Sequence, residues 1–158
     1  MAAPFRNHVF FSLIFFFGIV VSCNHNTFYH KTITLPNEIW NMDSTLVYQF
    51  TIQDSLQFYS FFIDVRNTSD YPYQNLSLFF STQFPDSTVS TDTLTCFLSD
   101  AHGRWKGRGS GRIKDNRFVL KSRVRFQQKG DYVFTAQQAM RDANLKGITD
   151  FGITLQYE

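Results

Sequence analysis

Histidines, cysteines and a run of alternating glycines and cations are the parts of this chain whose residue types could do chemistry. His8, His25, His30 and His102 lack metal-ligand spacing, so no metal centre is expected. His102 lies close to Ser99 and Asp100, as a hydrolase would require. No turn that presents a nucleophile accompanies them, and no catalytic residue is assigned. Gly103, Gly107, Gly109 and Gly111 alternate and do not form a phosphate-binding loop, so no cofactor is expected.

The segment Asp100 to Arg112 (DAHGRWKGRGSGR) sets Arg104, Trp105, Lys106 and Arg108 among those glycines. Arg-Gly tracts with aromatics suit RNA, a partner that the secretory character of residues 1–22 argues against. Two readings stay open: a bent hairpin whose backbone approaches an aromatic ring, and a contact loop. Lys121, Arg123 and Arg125 then occur at every second position. That spacing puts them on one outward strand face, with Phe118, Leu120, Val124 and Phe126 turned inward. They are either an edge strand's charged defence or a docking strip for an acidic partner or polysaccharide. Residues 24–100 hold two basic and eight acidic residues, and residues 101–158 hold twelve basic and five acidic. Such asymmetry gives a basic binding face unless the halves interleave in space and neutralise each other. The expected interaction surface is where Arg104, Trp105, Lys106 and Arg108 meet Lys121, Arg123 and Arg125, because Trp and Arg dominate interface hot spots.

The two cysteines read differently. Val9 to Val21 (VFFSLIFFFGIVV) is 13 residues without charge, preceded by Arg6 and closed by Val20-Val21-Ser22-Cys23. A basic start, an apolar middle and small residues at the cut describe a secretory signal helix over residues 1–22. At ~1.5 Å per residue it falls short of the ~30 Å hydrocarbon core, so it is not a lasting membrane span. The Cys directly after Val-Val-Ser resembles a bacterial lipobox, in which the thiol is acylated and Cys23 becomes the first mature residue. Several acyl chains would then hold the protein firmly on a membrane leaflet, outside the cytoplasm. Cys96 alternates with Leu94 and Leu98, as a buried and inert thiol would. With Cys23 acylated no intrachain disulfide can form.

These residues need positioning by strands. Residues 23–31 read as a lipidated polar tether and 32–158 as one domain, large enough for a core without disulfides. An edge strand stops at Pro36, and a turn follows at Asn41-Met42-Asp43. Alternating runs follow: Leu46, Tyr48, Phe50, Ile52; Tyr59, Phe61, Ile63, Val65; Leu76, Leu78, Phe80; and Leu94, Cys96, Leu98. Later runs are Phe118 to Phe126, Tyr132 with Phe134, and Phe151, Ile153, Leu155, Tyr157. The pattern predicts an all-β fold, an antiparallel β-sandwich of jelly-roll or immunoglobulin-like type. Thr135-Ala136-Gln137-Gln138 fits a capping box and predicts one short helix near residues 136–142.

The motifs in order also resemble a family. They are the lipobox, Trp40, Arg66-Asn67, Tyr71-Pro72-Tyr73-Gln74-Asn75-Leu76 and Asp92-Thr93-Leu94. Then come Asp100 with Gly103, Trp105, Gly107, Gly109 and Gly111, followed by Gly130-x-Tyr132-x-Phe134 and Gln138-Ala139-Met140-Arg141. Leu145-x-Gly147-Ile148-x-Asp150-x-Gly152 closes the series. Together they resemble the GldH family of gliding-motility lipoproteins of the Bacteroidota. The resemblance implies a non-enzymatic, outer-membrane-anchored accessory of the gliding and type IX secretion machinery, with other envelope proteins as partners and no small-molecule substrate. Surface-exported lipoproteins of that lineage resemble one another in an acidic run after the Cys. Asn24-His25-Asn26 lacks it, which implies the periplasmic face. An alternative from another class is a carbohydrate-binding β-sandwich module. Asp-Ser/Thr motifs resembling that lineage's O-glycosylation sites mark Ser44, Ser55, Ser87 and Thr93, although the same dipeptides are ordinary turn chemistry.

The anchor gives the first testable outcome. Mass spectrometry of the N-terminal peptide should find lipid on Cys23 and no residues 1–22; an unmodified Cys23 or a freely soluble protein would contradict it.

Overall fold

The computed structural model describes residues 26–158; the signal segment and Cys23 lie outside the described residues. Strict alternation builds the strands. β1 is Thr27–Thr34, β2 Ile39–Asn41, β3 Leu46–Ile52, β4 Phe58–Thr68 and β5 Asn75–Gln83. β6 is Val89–Phe97, β7 Ile113–Arg125, β8 Gly130–Gln138, β9 Asn144–Lys146 and β10 Ile148–Tyr157. In β3 every second residue is buried, from Leu46 through Tyr48 and Phe50 to Ile52, and β4 repeats this with Tyr59, Phe61, Ile63 and Val65.

Two antiparallel four-stranded sheets result, ordered β1-β10-β4-β7 and β3-β8-β5-β6, with β2 and β9 as a small separate pair. Without that pair the order is that of a jelly roll. The chain is one long hairpin rolled on itself. Its tip is the Phe84–Thr88 turn, where Ser87 adopts φ 66°. Outward from the tip β5 pairs with β6, β4 with β7, β3 with β8, and β1 with β10.

Aromatic residues fill the space between the sheets. The Phe50 ring lies 5.1 to 6.0 Å from those of Phe28, Tyr29, Phe126, Tyr132 and Phe134. Phe134 extends the cluster to Phe61 and Phe80. At the other end Trp40 is fully buried, 5.2 Å from the Phe151 ring, and its indole N–H donates to the Ser44 carbonyl at 3.0 Å. The Asn41 turn is as expected, with the Asp43 amide donating to the Asn41 side chain at 2.8 Å.

Two expectations are corrected. No helix forms near residues 136–142. Ala136 pairs with both Leu46 and Phe80, and Gln138 pairs with Leu78, so β8 continues through the segment read as a cap. Ladders on both edges outweigh the propensity of a segment too short to hold a helix alone. Gln138 does cap, but it caps a turn: it accepts from the Met140 amide at 2.8 Å and donates to the Asp142 carbonyl at 2.7 Å. The first strand also starts earlier than expected, at Thr27, because Phe28 and Tyr29 pack on the core.

Trp40 offers the sharpest stability test. Trp40→Ala should cost roughly 3–5 kcal/mol by urea unfolding, as a large aromatic removed from a closed core does. Gln49→Ala, on the exposed side of β3, should stay within about 0.5 kcal/mol.

Candidate interaction surface

The Asp100–Arg112 segment is a pair of tight turns fixed onto β7. The Asp100 carboxylate accepts from the amides of His102 and Arg104, both at 2.9 Å, and from the Arg104 guanidinium at 2.8 Å. Those contacts, led by the Arg104 amide, hold its carboxyl below the usual range. Asp100 therefore closes a turn. Ser99 bridges to Trp105, and Arg108 exchanges backbone bonds with Asp115 at 2.8 Å. Trp105 is half-buried against the core. The glycines answer to backbone geometry. A Cβ on Gly109, at φ 121°, would lie 2.5 Å from the Ile113 carbonyl oxygen. One on Gly107 would meet the Asn116 side chain at 2.8 Å. The bent hairpin is thus the form realised, although the glycine packs against Asn116 and not an aromatic ring. Asn116 is itself buried, donating to Asn67 at 2.8 Å, and this polar pair locks the turns to the sheet. Sequence reasoning missed it, since a lone Asn within an alternating run carries no signal.

Beside the turns, the outer face of the β1-β10-β4-β7 sheet forms a polar cleft of about 750 Å³. Its floor is a continuous network. Arg117 binds Asp64 through two nitrogens at 2.6 and 3.1 Å, Thr154 donates to the same carboxylate at 2.5 Å, and the His30 ring nitrogen meets the Thr154 hydroxyl at 2.8 Å. The ion pair with Asp64 raises the Arg117 pKa. Gly152 makes room, for a Cβ there would lie 2.7 Å from the Thr32 hydroxyl. Lys106 and Arg108 form the rim.

The structure does not bring the two cation groups together. Arg108 bridges to Asp115 near the start of β7, whereas Arg123 and Arg125 lie at its end, ~30 Å away at ~3.3 Å per residue. Nor do Lys121, Arg123 and Arg125 share one clean face. The register with β4 breaks twice between Val124 and Val119, and Arg123 takes φ 53°. Lys121 falls opposite inward-facing Phe61, while the guanidinium groups of Arg123 and Arg125 stand 5.5 and 5.7 Å over the Phe58 ring. Such bulges leave no periodicity to read in sequence.

Charge interleaves between the chain halves, though incompletely. Asp64 pairs with Arg117, Asp100 with Arg104, and Glu38 and Asp70 with Arg112, while Arg66 pairs with Asp115 and Asp150. Among the described residues Lys106, Arg108, Lys121, Arg123 and Arg125 form no ion pair. Cys96 is buried as expected, its thiol pushed up to about 11 by burial. Tyr71 is buried and donates to the Asn75 carbonyl at 2.9 Å, so this loop is part of the packing. Ser44, Ser87 and Thr93 are exposed, and Ser55 is half-buried. No group of three or more His, Cys, Asp or Glu residues that could hold a metal occurs among the described residues.

Comparison with known proteins points one way. The family model described as GldH lipoprotein matches residues 27–155. The "Gliding motility lipoprotein GldH homolog" of Christiangramia forsetii is 34% identical over 152 residues, 90% of this chain and 93% of that one. The "Gliding motility lipoprotein GldH" of Flavobacterium johnsoniae is 30% identical over 124 residues, 74% and 77% of the two chains. Among solved structures, a carbohydrate-binding module of a family 9 glycoside hydrolase (Cel9A) from Ruminococcus flavefaciens FD-1 gives a TM-score of 0.42 at 14% identity, over 82% of this chain and 98% of that one. Dimeric latent PorU from Porphyromonas gingivalis gives 0.34 at 8%, over 84% of this chain and 13% of that one. Likenesses of this depth say nothing of function.

The Arg112 pairs make acid sensitivity testable. Its guanidinium donates to Glu38, at 2.7 Å through Nη1, and to Asp70 at 3.2 Å. The hydrogen bond with Arg112 holds the Glu38 carboxyl below its ordinary value. A depressed folded-state pKa gives stability that is present above the unfolded value and lost as pH falls through the folded one. Arg112→Met should therefore lower the melting temperature at pH 7, with the gap to wild type narrowing below about pH 4. A gap independent of pH would refute the ionic origin.

Proposed function

This chain belongs to the GldH lipoprotein family, and on that premise we propose that it is an outer-membrane-anchored, periplasm-facing accessory of the gliding and type IX secretion machinery. It acts by binding other envelope proteins and catalyses no reaction. The observation that carries this reading is the family match, which spans nearly the whole folded domain and not one motif within it. Cys23 supplies the membrane anchor, and the shortage of acid after it favours the periplasmic face. The cations of β7 and its preceding loop support a docking role. Lys106 and Arg108 at one end, and Lys121, Arg123 and Arg125 at the other, are exposed without carboxylate partners among the described residues. Such charges steer an acidic partner and set its orientation more than they add affinity.

Deletion of the gene, followed by complementation, tests this. Loss of colony spreading or of type IX cargo secretion should be restored by wild type and not by Cys23→Ser. The double reversals Lys106→Glu/Arg108→Glu and Lys121→Glu/Arg125→Glu should leave stability within about 1 kcal/mol but complement poorly. Normal spreading and secretion without the gene, together with retention on glycan, would move the reading to a carbohydrate-binding module.

A further inference from the structure

Each sheet has two outer strands, and three of the four are covered or blunted. β1 and β3 close on each other: Lys31 donates to the Val47 carbonyl at 3.0 Å, and its ammonium stands 5.7 Å over the Tyr48 ring. β7 is blunted by its two register breaks, by Arg123 and by its charge. β6 has none of these defences. It pairs with β5 over nine residues without a break, holds no Pro, Lys or Arg, and carries Asp92 as its one charge. Val89 and Phe97 are 63% and 58% exposed.

Parity shows which backbone groups are free. At the tip the Phe84 amide donates to Thr88, and beyond the other end Leu98 donates to Gln74. In an unbroken antiparallel ladder, alternate residues then face the neighbouring strand. Even-numbered residues of β6 turn their N–H and C=O groups to β5, and Val89, Thr91, Thr93 and Thr95 turn theirs outward. Past Phe97 the edge is taken, since Ser99 bridges to Trp105. Above the inner side of β6 lies a groove of about 580 Å³, with Leu94, Leu120, Val124 and Phe126 in its lining, Lys121 and Arg125 on its β7 wall, and Asp92 of β6 and Asp86 of the tip turn also lining it.

We propose that β6 receives an extended segment of a partner polypeptide as an added strand, carrying apolar residues and an acidic one on the groove side. Charge complementarity selects the acid, because Lys121 and Arg125 have no carboxylate within ion-pair distance among the described residues. Main-chain bonds supply affinity, and the alternate side chains in the groove supply selectivity. A second copy fits less well. The fully overlapping two-fold register drives its hairpin tip against Trp105, and a shift by one residue sets Asp92 opposite Asp92.

The proposal deepens the protein-binding reading and rests on it only in taking the partner to be a protein. Binding is measured in vitro, so failed complementation and failed binding are separate results. The probe is a fluorescent peptide, Thr-Val-Thr-Glu-Thr-Leu-Thr, added to the full chain in detergent and followed by anisotropy. Saturable binding is expected. Replacing its Glu by Lys should weaken binding at least tenfold, and N-methylating alternate amides should abolish it. Thr93→Pro in the protein removes an outward amide without touching the β5 ladder, so it should abolish binding at an unchanged melting temperature. If that variant does not fold, the two altered peptides decide the matter on wild type. Equal binding of the Glu and Lys peptides, full binding to folded Thr93→Pro, or no binding at about 1 mM would overturn the proposal. So would a dimer, seen by light scattering, that Thr93→Pro dissociates.

Discussion

Burial of alternate aromatic residues between the two sheets of one rolled hairpin is the constraint on which everything else depends. A strand can commit only one face to that core: Leu46, Tyr48, Phe50 and Ile52 in β3, Tyr59, Phe61, Ile63 and Val65 in β4, and Tyr132, Phe134 and Ala136 in β8. Phe50 of β3 meets rings from β1, from β8 and from Phe126, the residue that follows β7, so one ring holds together segments a hundred residues apart in the chain. Because the hairpin closes rung by rung from the Phe84–Thr88 turn, the last rung joins β1 to β10. The N-terminal strand is thereby held against the strand β10.

Rolling a hairpin leaves two flanks, and they are treated differently. Lys31 and Phe28 seal the flank between β1 and β3. The flank between β6 and β7 stays open, with an apolar floor, a cationic β7 wall and Asp92 as the one charge of its edge strand. Ion pairing makes the same distinction. Arg66 and Arg117 are spent on acids of neighbouring strands and Arg112 on Glu38 and Asp70 in adjoining loops, whereas among the described residues the cations at the two ends of β7 form no ion pair. Exposed pairs of this kind contribute little energy each, so their value is in fixing loop and strand positions.

Sequence made the fold legible wherever period-2 burial was clean, as from Leu46 to Ile52, and wherever a turn had its own chemistry, as at Asn41. It failed where long-range pairing competed with local preference. Ala136 and Gln138 look helical until their partners Leu46, Phe80 and Leu78 are in place. It failed again at Lys121 to Arg125, where extra residues in β7 destroy the alternation that placed three cations on one face. The first half of β6 was invisible because Val89 to Thr93 bury nothing. The family-like motifs turn out to be mostly folding determinants. Trp40, Asn67 and Tyr71 are buried, and Gly107, Gly109 and Gly147 admit an approach closer than a Cβ would allow. A resemblance carried by such residues identifies the fold and family well and locates a binding surface poorly.

This jelly roll is closed on one flank and open on the other. Residue-resolved amide hydrogen exchange of the folded, isolated domain tests it most directly. Along β6, the amides of Ser90, Asp92, Leu94 and Cys96 should exchange slowly, and those of Val89, Thr91, Thr93 and Thr95 quickly. Uniform protection along β6 would mean that this edge is already covered and that neither flank is open.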